Sequence, residues 1–235
     1  MIYIVTGVSR GLGKAIAENY LNQGFKVIGV GRRHSIEHTN FSFENCDLSD
    51  VESARQLFAN QKFEEPVTLI NNAGILGSVQ RISEQVKLDL EIVMAVNVTS
   101  PMLLTKNIYS NLSNKADFTL VNISSGAANR AIPSWASYCA SKAALNMLTE
   151  AFYLEEQEKG IDLKAFAISP GVIDTGMQEQ IRNAPQEQFS AVDNFKKMKE
   201  EGVLFSANEA ASKLVALLKS DFTGEINHDL RNVNS

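Results

Sequence analysis

The chain has 235 residues, of which 44% are hydrophobic and 21% charged, and its formal net charge is −5. A chain of this length and apolar content can bury one large core, so we predict a single domain over residues 1–235. The mildly acidic balance argues against a nucleic-acid-binding surface and against a polybasic membrane anchor.

Short β-rich runs alternate with longer helical patterns along the chain, which is typical of a parallel sheet with helices on both faces. We predict a three-layer, doubly wound α/β fold with one seven-stranded parallel sheet. Gly24 has the position of a helix C-terminal cap, and the pairs Ser49 with Glu52 and Ser206 with Glu209 have capping-box spacing. The predicted strands are residues 2–6, 26–30, 41–46, 67–71, 118–124, 163–169 and 225–227.

A glycine-rich turn follows the first predicted strand and begins a helix. Gly7, Gly11 and Gly13 lie in the sequence T-G-V-S-R-G-L-G. A dinucleotide pyrophosphate requires backbone N–H groups at close range and the positive end of a helix, and residues without a Cβ permit this approach. The spacing differs from G-x-G-x-x-G, and a glycine-rich turn after a strand also occurs as plain βα geometry.

The end of the second predicted strand indicates which nucleotide is bound. An acidic residue there would bind a ribose 2′-hydroxyl, whereas an arginine would pair with a 2′-phosphate. The chain has Arg32 and Arg33 at this position, and Arg10 in the glycine turn is a further candidate cation on the same side. We therefore predict NADP(H) as the cofactor; the alternative is a pair of solvated arginines at a loop tip.

Three residues in the second half of the chain form a candidate catalytic set. Tyr138 and Lys142 are four residues apart on a predicted helix, so their side chains share one helical face. A nearby ammonium favours the phenolate, and we expect Lys142 to lower the pKa of Tyr138 toward neutrality. Ser125 ends the fifth predicted strand, where its hydroxyl can hydrogen-bond a substrate carbonyl oxygen. Each feature is common alone, but their combination with the glycine turn indicates an active site.

The segment 176–202 is polar, rich in Gln and Lys, and contains no predicted strand. We expect it to form helices over the carboxyl edge of the sheet, where a substrate lid would lie. The alternative is a surface excursion without a function. The spaced apolar residues that indicate these helices are Met177, Ile181, Phe189, Phe195 and Met198.

Cysteine usage and the apolar runs indicate the compartment. Cys46 and Cys139 have no metal-ligand spacing and are too few for a disulfide framework, which is typical of a reducing compartment. The N-terminal run MIYIVTG has no basic region or cleavage site. No stretch approaches the roughly 18 apolar residues of a membrane span. We expect a cytoplasmic protein with no bound metal, no membrane span and no nucleic-acid partner.

Together these motifs resemble the short-chain dehydrogenase/reductase family over nearly the whole chain. The resemblance implies a Rossmann-type fold and an Asn-Ser-Tyr-Lys catalytic tetrad in which Lys142 also binds the nicotinamide ribose. It implies that Asn97 distorts its helix and holds a water behind the lysine. The implied tetrad is Asn97, Ser125, Tyr138 and Lys142.

The resemblance also assigns contacts to the cofactor. The glycine turn corresponds to the pyrophosphate site, D-L at 47–48 to an adenine-contacting pair, N-N-A-G at 71–74 to a supporting turn, and P-G at 170–171 to the loop that seats the nicotinamide carboxamide. The residues implied to bind the cofactor are Gly7, Ser9, Arg10, Gly11, Leu12, Gly13, Arg32, Arg33, Asp47, Leu48, Asn72, Ala73, Gly74, Tyr138, Lys142, Pro170, Gly171, Val172 and Thr175.

Within the family, the C-terminal third is similar to the sepiapterin reductase branch and its benzil-reducing members. The similar stretches include S-S-G-A at 124–127, PGVIDTGMQEQ at 170–180 and KKMKEEGVL at 196–204. Sepiapterin reductases hold the pterin with an aspartate near the C-terminus, and Asp229 is a candidate for that position after a shift in alignment. Substrate contacts are expected from Ser125, Trp135 and Met177, with Trp135 either walling the pocket or packing under the lid.

The implied activity is hydride transfer from NADPH to a ketone or 1,2-diketone, with Tyr138 as the acid/base. Two alternatives stay open: a 3-oxoacyl or sugar-alcohol reductase, and a catalytically silent NADP-binding sensor. The expected partners are a small carbonyl substrate and further copies of the chain in a homodimer or homotetramer.

Overall fold

The computed structural model describes residues 1–233 and contains the predicted seven-stranded parallel sheet. The strands are β1 (Ile2–Thr6), β2 (Lys26–Gly31), β3 (Phe41–Asn45), β4 (Val67–Asn71), β5 (Phe118–Ile123), β6 (Lys164–Ser169) and β7 (Asn227–Asp229). Their order across the sheet is β3-β2-β1-β4-β5-β6-β7, and each neighbouring pair is parallel. The order reverses between β1 and β4, which is where ligands bind in sheets of this kind.

Helices connect the strands and cover both faces of the sheet. A π-helical turn, Ala95–Thr99, joins the third helix to the fourth. The α-helices are α1 (Gly11–Asn22), α2 (Val51–Gln56), α3 (Lys87–Met94), α4 (Ser100–Asn111), α5 (Ala136–Glu158), α6 (Gly176–Arg182), α7 (Val192–Glu200) and α8 (Ala207–Lys219).

The side chains of each strand alternate between two buried layers. Tyr3 and Val5 of β1 pack with α1 and α8 in one cluster, whereas Ile4 packs with residues of α2 and α4 in a cluster on the other face. Because both faces are buried, the central strands lack the polar alternation of half-exposed strands. A third, smaller cluster lies under α6 and α7. The three-layer, doubly wound prediction is confirmed.

The last strand is displaced from its predicted position. β7 covers Asn227–Asp229 instead of residues 225–227. Its register is set by pairing with β6, in which Ser169 lies opposite Asp229. Gly224 has a φ of +85° and forms the turn before the strand. Asp229 is thereby placed at the carboxyl edge of the sheet.

One of the two predicted capping boxes is wrong. α2 begins after Asp50, whose side chain accepts a hydrogen bond from the Glu52 backbone N–H. The Ser49 hydroxyl instead donates to Asp47. The capping box of Ser206 with Glu209 is present at the start of α8. Gly24 follows α1 with a φ of +86°, as a helix C-terminal glycine does.

One prediction about apolar runs was too strong. Within residues 1–233, the helical run Lys87–Asn111 is long and apolar enough, by length and composition, to cross a membrane. Half of its most apolar window is buried inside the fold. A core helix meets the same criterion as a spanning one, so this finding carries no further conclusion.

Candidate active site

The carboxyl ends of the strands open into one continuous cleft of about 1400 Å³. Parallel strands end at the same edge of a sheet, so the glycine turn after β1, the arginines after β2 and Ser125 after β5 all reach it. The predicted site residues line this cleft, with two exceptions. Gly13 and Asn97 lie behind its wall.

The glycine turn allows very close packing. Gly7 and Gly11 have φ values of +76° and +60°, a region that side chains disfavour. A Cβ on Gly7 would lie 3.0 Å from the Cα of Ala73. A Cβ on Gly13 would lie 2.4 Å from the Gly7 carbonyl oxygen. Gly13 was predicted to contact the cofactor, but here its missing side chain serves the packing of α1 against the turn.

Thr6, which sequence reasoning did not single out, ties the turn to the end of β4. Its hydroxyl accepts hydrogen bonds from the backbone N–H groups of Asn72 at 3.0 Å and Ala73 at 2.9 Å. The Asn72 side chain donates in return to the Thr6 carbonyl oxygen at 2.9 Å. The sequence signal for this role is a threonine directly before the first glycine of the turn.

The residues in this half of the cleft fit a dinucleotide. α1 begins at Gly11, and the unpaired N–H groups at a helix N-terminus attract phosphate oxygens. Gly7 and Gly11 line the cleft here, and a pyrophosphate would be held against the backbone of this turn. Leu48 lines the neighbouring region and offers an apolar surface to a base.

Arg32 and Arg33 line the cleft beyond β2. Arg32 Nη1 lies 3.8 Å from Asp47 Oδ2. Hydrogen bonds from the Ser49 hydroxyl and backbone N–H, together with Arg32, hold the pKa of the Asp47 carboxyl below its usual range. Asp47 therefore stays ionised at neutral pH and places a negative charge near Arg32, beside the predicted adenine site.

Tyr138 and Lys142 lie one turn apart at the start of α5, and their side chains are 6% and 4% exposed. Lys142 Nζ donates to the Ile123 carbonyl oxygen at 2.8 Å and lies 5.7 Å from the centre of the Tyr138 ring. Ser125 also lines the cleft, and its hydroxyl is close enough to Tyr138 to lower the pKa of the phenol in part. Gly74 makes room for the ammonium, because a Cβ there would lie 3.3 Å from Lys142 Nζ.

The predicted effect of Lys142 on the phenol is not found. Burial raises the pKa of Tyr138 above its ordinary value of 10.0, and the nearby Ser125 hydroxyl only partly opposes this rise. Burial also lowers the pKa of the Lys142 ammonium to about 8. The ammonium is bonded to the Ile123 carbonyl, and burial is the largest influence on the pKa of both groups. In the chain alone Lys142 does not lower the pKa of the phenol, and its expected effect together with a nicotinamide cation stays a prediction.

The depressed pKa of Lys142 predicts a pH dependence of stability. The folded chain loses this proton near pH 8, whereas the unfolded chain retains it up to the ordinary pKa of 10.5. Between these values the unfolded state binds more protons, so the free energy of unfolding rises with pH. Across this pH range, we expect the free energy of unfolding of the unsubstituted protein to rise by on the order of 3 kcal/mol more than that of Lys142→Met. Urea denaturation measures both. A stability difference independent of pH would contradict this.

The helix that carries Asn97 is distorted, as the resemblance implied, by the π-helical turn Ala95–Thr99. The Asn97 side chain is fully buried. Its Oδ1 accepts from the Ile75 backbone N–H at 2.9 Å, and its Nδ2 donates to the Ile75 carbonyl at 2.8 Å and the Ser141 hydroxyl at 3.0 Å. Asn97 therefore ties the loop after β4 to Ser141 of α5, the residue directly before Lys142. Its predicted hold on a water stays a prediction.

Asn97→Ala is expected to lower the free energy of unfolding by about 3 kcal/mol, because it leaves the Ile75 N–H and carbonyl without partners in a buried place. Denaturant unfolding measures this change. The matched control is Asn208→Ala on the exposed face of α8, for which we expect a change below about 0.5 kcal/mol. Equal effects of the two substitutions would show that Asn97 does not fix this loop.

Trp135 lines the cleft and also packs under α6 and α7, so it occupies both of its predicted places. Its ring stacks on Phe189 with centroids 5.3 Å apart and meets the Tyr138 ring edge-on at 5.8 Å. Met177 packs in the same cluster. We call α6 and α7 the cover helices; they lie over the carboxyl edge, and their action as a lid stays a prediction.

The cover helices also contact the glycine turn. A Cβ on Gly176, the first residue of α6, would lie 3.3 Å from Arg10 Nη1. A Cβ on Gly11 would lie 3.4 Å from Thr175 Cγ2. Arg10 is therefore packed on the start of the cover, which the sequence did not indicate.

Asp229 lines the cleft at the end of β7, but its carboxylate is already paired. It accepts hydrogen bonds from Arg231 Nε at 2.9 and 3.1 Å and from the Arg231 backbone N–H at 2.9 Å. These bonds hold the pKa of the carboxyl below its usual range. Asp229 does not present an uncompensated carboxylate to a ligand.

Fold and cleft together define a nicotinamide-dependent oxidoreductase, with a nucleotide half at β1 and β2 and a Ser-Tyr-Lys set at β5 and α5. The family model described as short chain dehydrogenase matches residues 1–186. The chain therefore belongs to the short-chain dehydrogenase family.

Individual relatives place the chain within that family. It is 35% identical over 228 residues to benzil reductase ((S)-benzoin forming) of Bacillus subtilis (strain 168), covering 93% of each chain. It is 29% identical over 246 residues to sepiapterin reductase of Rattus norvegicus, covering 94% of this chain and 92% of that one. A crystal structure of a short chain dehydrogenase/reductase from Saccharomyces cerevisiae superposes with a TM-score of 0.81 at 26% identity, covering 98% and 96% of the two chains.

Proposed function

We propose that the chain is an NADPH-dependent carbonyl reductase that acts on aromatic or similarly bulky ketones and 1,2-diketones. The observation that carries this proposal is the apolar wall beside Tyr138, to which Trp135, Met177 and Phe195 contribute. Aromatic and thioether side chains favour aryl groups over charged or sugar-like ones. The similarity to benzil reductase supports the same substrate class. The pairing of Asp229 with Arg231 favours this class over a pterin held by a free aspartate.

The residues at the end of β5 and the start of α5 supply the proton and hold the substrate. A bound NADPH supplies the hydride. Ser125 orients the carbonyl oxygen and stabilises the charge that develops on it, and Tyr138 transfers its phenolic proton to that oxygen. Lys142, fixed by the Ile123 carbonyl, keeps a positive charge beside the phenolate that remains.

The raised pKa of Tyr138 keeps the phenol in the protonated form that ketone reduction uses. Ketone reduction requires a protonated phenol, whereas alcohol oxidation requires the phenolate as a base. Because burial raises the pKa of Tyr138 above 10.0, the phenol is protonated at neutral pH.

The proposed setting is a cytoplasmic homodimer or homotetramer. The two cysteines, Cys46 and Cys139, are both free thiols, in keeping with a reducing compartment. Met102 on α4 and Met147 and Leu154 on α5 are exposed large apolar side chains that a further copy of the chain would cover. Light scattering after size-exclusion chromatography tests the assembly, and a monomer at micromolar concentration would contradict it.

A substrate panel tests the proposed activity. Purified protein is incubated with NADPH and, separately, with benzil, a quinone, sepiapterin, a 3-oxoacyl thioester and a sugar-derived ketone. We expect kcat/KM for benzil to exceed that for the thioester and the sugar by at least about tenfold, since the apolar wall discriminates through buried aryl area. A preference for the thioester or sugar would overturn the proposal. Binding of NADPH without oxidation by any carbonyl would favour the sensor.

A further inference from the structure

Buried polar atoms that lack a hydrogen-bond partner are concentrated at the cover helices. Within residues 1–233, five side chains carry such an atom. Three of them lie on or beneath α6, namely Trp135, Gln178 and Arg182. Buried polar groups are nearly always paired because an unpaired one destabilises the fold, so each exception requires a reason. Arg182 does not line the cleft and has Asp174 as a partial counter-ion 3.6 Å away. Trp135 and Gln178 both line the cleft.

Gln178 occupies a position where packing alone would favour an apolar residue. It is only 8% exposed and lies one helical turn before Ile181, which is 1% exposed, on the buried side of α6. Its Oε1 has no partner among the described residues. The neighbouring Gln180, on the outer side of α6, does have a partner, since its Nε2 donates to the Gly77 carbonyl at 2.8 Å. The amide of Gln178 therefore lies in the cleft wall without a role in holding the helix.

We propose that Gln178 is a specificity-determining residue that binds a second, uncharged oxygen next to the reacting carbonyl of the substrate. This inference rests on the proposed function, in which the first oxygen is bound by Ser125 and Tyr138. The amide nitrogen is a donor, so it binds the second carbonyl oxygen of a 1,2-diketone through Nε2, while Oε1 is enclosed in the wall.

Trp135, the other unpartnered residue of the cleft wall, carries a donor, its indole N–H. Its Nε1 has no partner among residues 1–233, and its ring lies edge-on to that of Tyr138. The Arg182 guanidinium does not reach the cleft. Gln178 and Trp135 are both neutral donors, which suit a ketone oxygen better than a carboxylate.

A matched pair of ketones tests the role of Gln178. Benzil carries the second carbonyl, and deoxybenzoin has a methylene in its place with the same two phenyl groups. kcat and KM are measured for both with the unsubstituted protein, with Gln178→Met, which keeps the length of the side chain, and with Gln180→Met as the control on the same helix. Thermal unfolding midpoints are measured in parallel.

We expect Gln178→Met to lower kcat/KM for benzil by at least about tenfold, mainly through KM, and to change that for deoxybenzoin by less than about threefold. Its unfolding midpoint should be unchanged or higher, because an unpartnered buried amide is removed. Gln180→Met should leave the ratio between the two ketones unchanged. Trp135→Phe, which keeps an aromatic ring and removes the N–H, should lower the preference for benzil in the same direction.

Equal losses on both ketones, or a lower unfolding midpoint with no change in their ratio, would show that Gln178 is structural and would overturn the inference alone. An unsubstituted protein that reduces neither ketone would overturn the proposed function together with the inference. An unsubstituted protein that reduces both equally well would overturn the inference and leave the proposed reduction of bulky ketones standing.

Discussion

Tyr138→Phe is expected to lower kcat for ketone reduction by at least about two orders of magnitude, with little change in cofactor affinity. The substitution removes the phenolic proton at the point where the substrate oxygen binds and leaves the ring in place. Ser125 would still orient that oxygen, so residual activity reports on orientation without a proton donor. NADPH oxidation followed by absorbance gives kcat, and quenching of protein fluorescence gives the affinity for NADPH.

Tyr153→Phe makes the same chemical change four turns further along α5 and serves as the control. Tyr153 packs edge-on against Phe222, with ring centroids 5.6 Å apart, and does not line the cleft. We expect this variant to keep kcat within about twofold, as surface-near changes usually do. Near-normal turnover by Tyr138→Phe, or equal losses in the two variants, would contradict the assignment of Tyr138 as the proton donor.

The sequence was sufficient for the parts of the fold that local patterns determine. β1 and β4 begin and end where they were predicted, because each is a short apolar run bounded by turn residues. β7 was misplaced because its residues, Asn227 to Asp229, have little strand preference, and pairing with β6 alone sets its register. Asp50 replaces Ser49 as the cap of α2 because the Ser49 hydroxyl is engaged by Asp47.

In the candidate site, too, local sequence patterns predicted some features, and contacts between distant segments determine the others. Gly7, Tyr138 and Lys142 are recognisable because their spacing along the chain carries the information. The Thr6 link to Asn72 and the unpartnered amide of Gln178 arise from contacts between segments far apart in sequence. The direction of the pKa shift at Tyr138 depends on how completely α6 and α7 exclude water, which spacing does not encode.

Arg32→Ala combined with Arg33→Ala is expected to lower kcat/KM for NADPH by about 100-fold and to change that for NADH by less than about threefold. A 2′-phosphate dianion loses two charge-assisted contacts, whereas a ribose hydroxyl loses none. The two arginines should not contribute equally. Arg32 is 76% exposed at its side chain and already has Asp47 as a counter-charge 3.8 Å away. We therefore expect Arg33→Ala alone to have the larger effect of the two single substitutions.

The salt dependence of KM for NADPH distinguishes the loss of a phosphate contact from a change in the shape of the nucleotide site. Exposed ion pairs are screened when the Debye length falls from about 10 Å at 0.1 M salt to about 3 Å at 1 M. KM for NADPH should therefore rise with salt in the unsubstituted protein, and this rise should be much smaller in the double variant or with NADH. A preference of the unsubstituted protein for NADH would overturn the assignment of these arginines. An equal salt dependence for both nucleotides would instead mean that the cations bind only the pyrophosphate, which the two cofactors share.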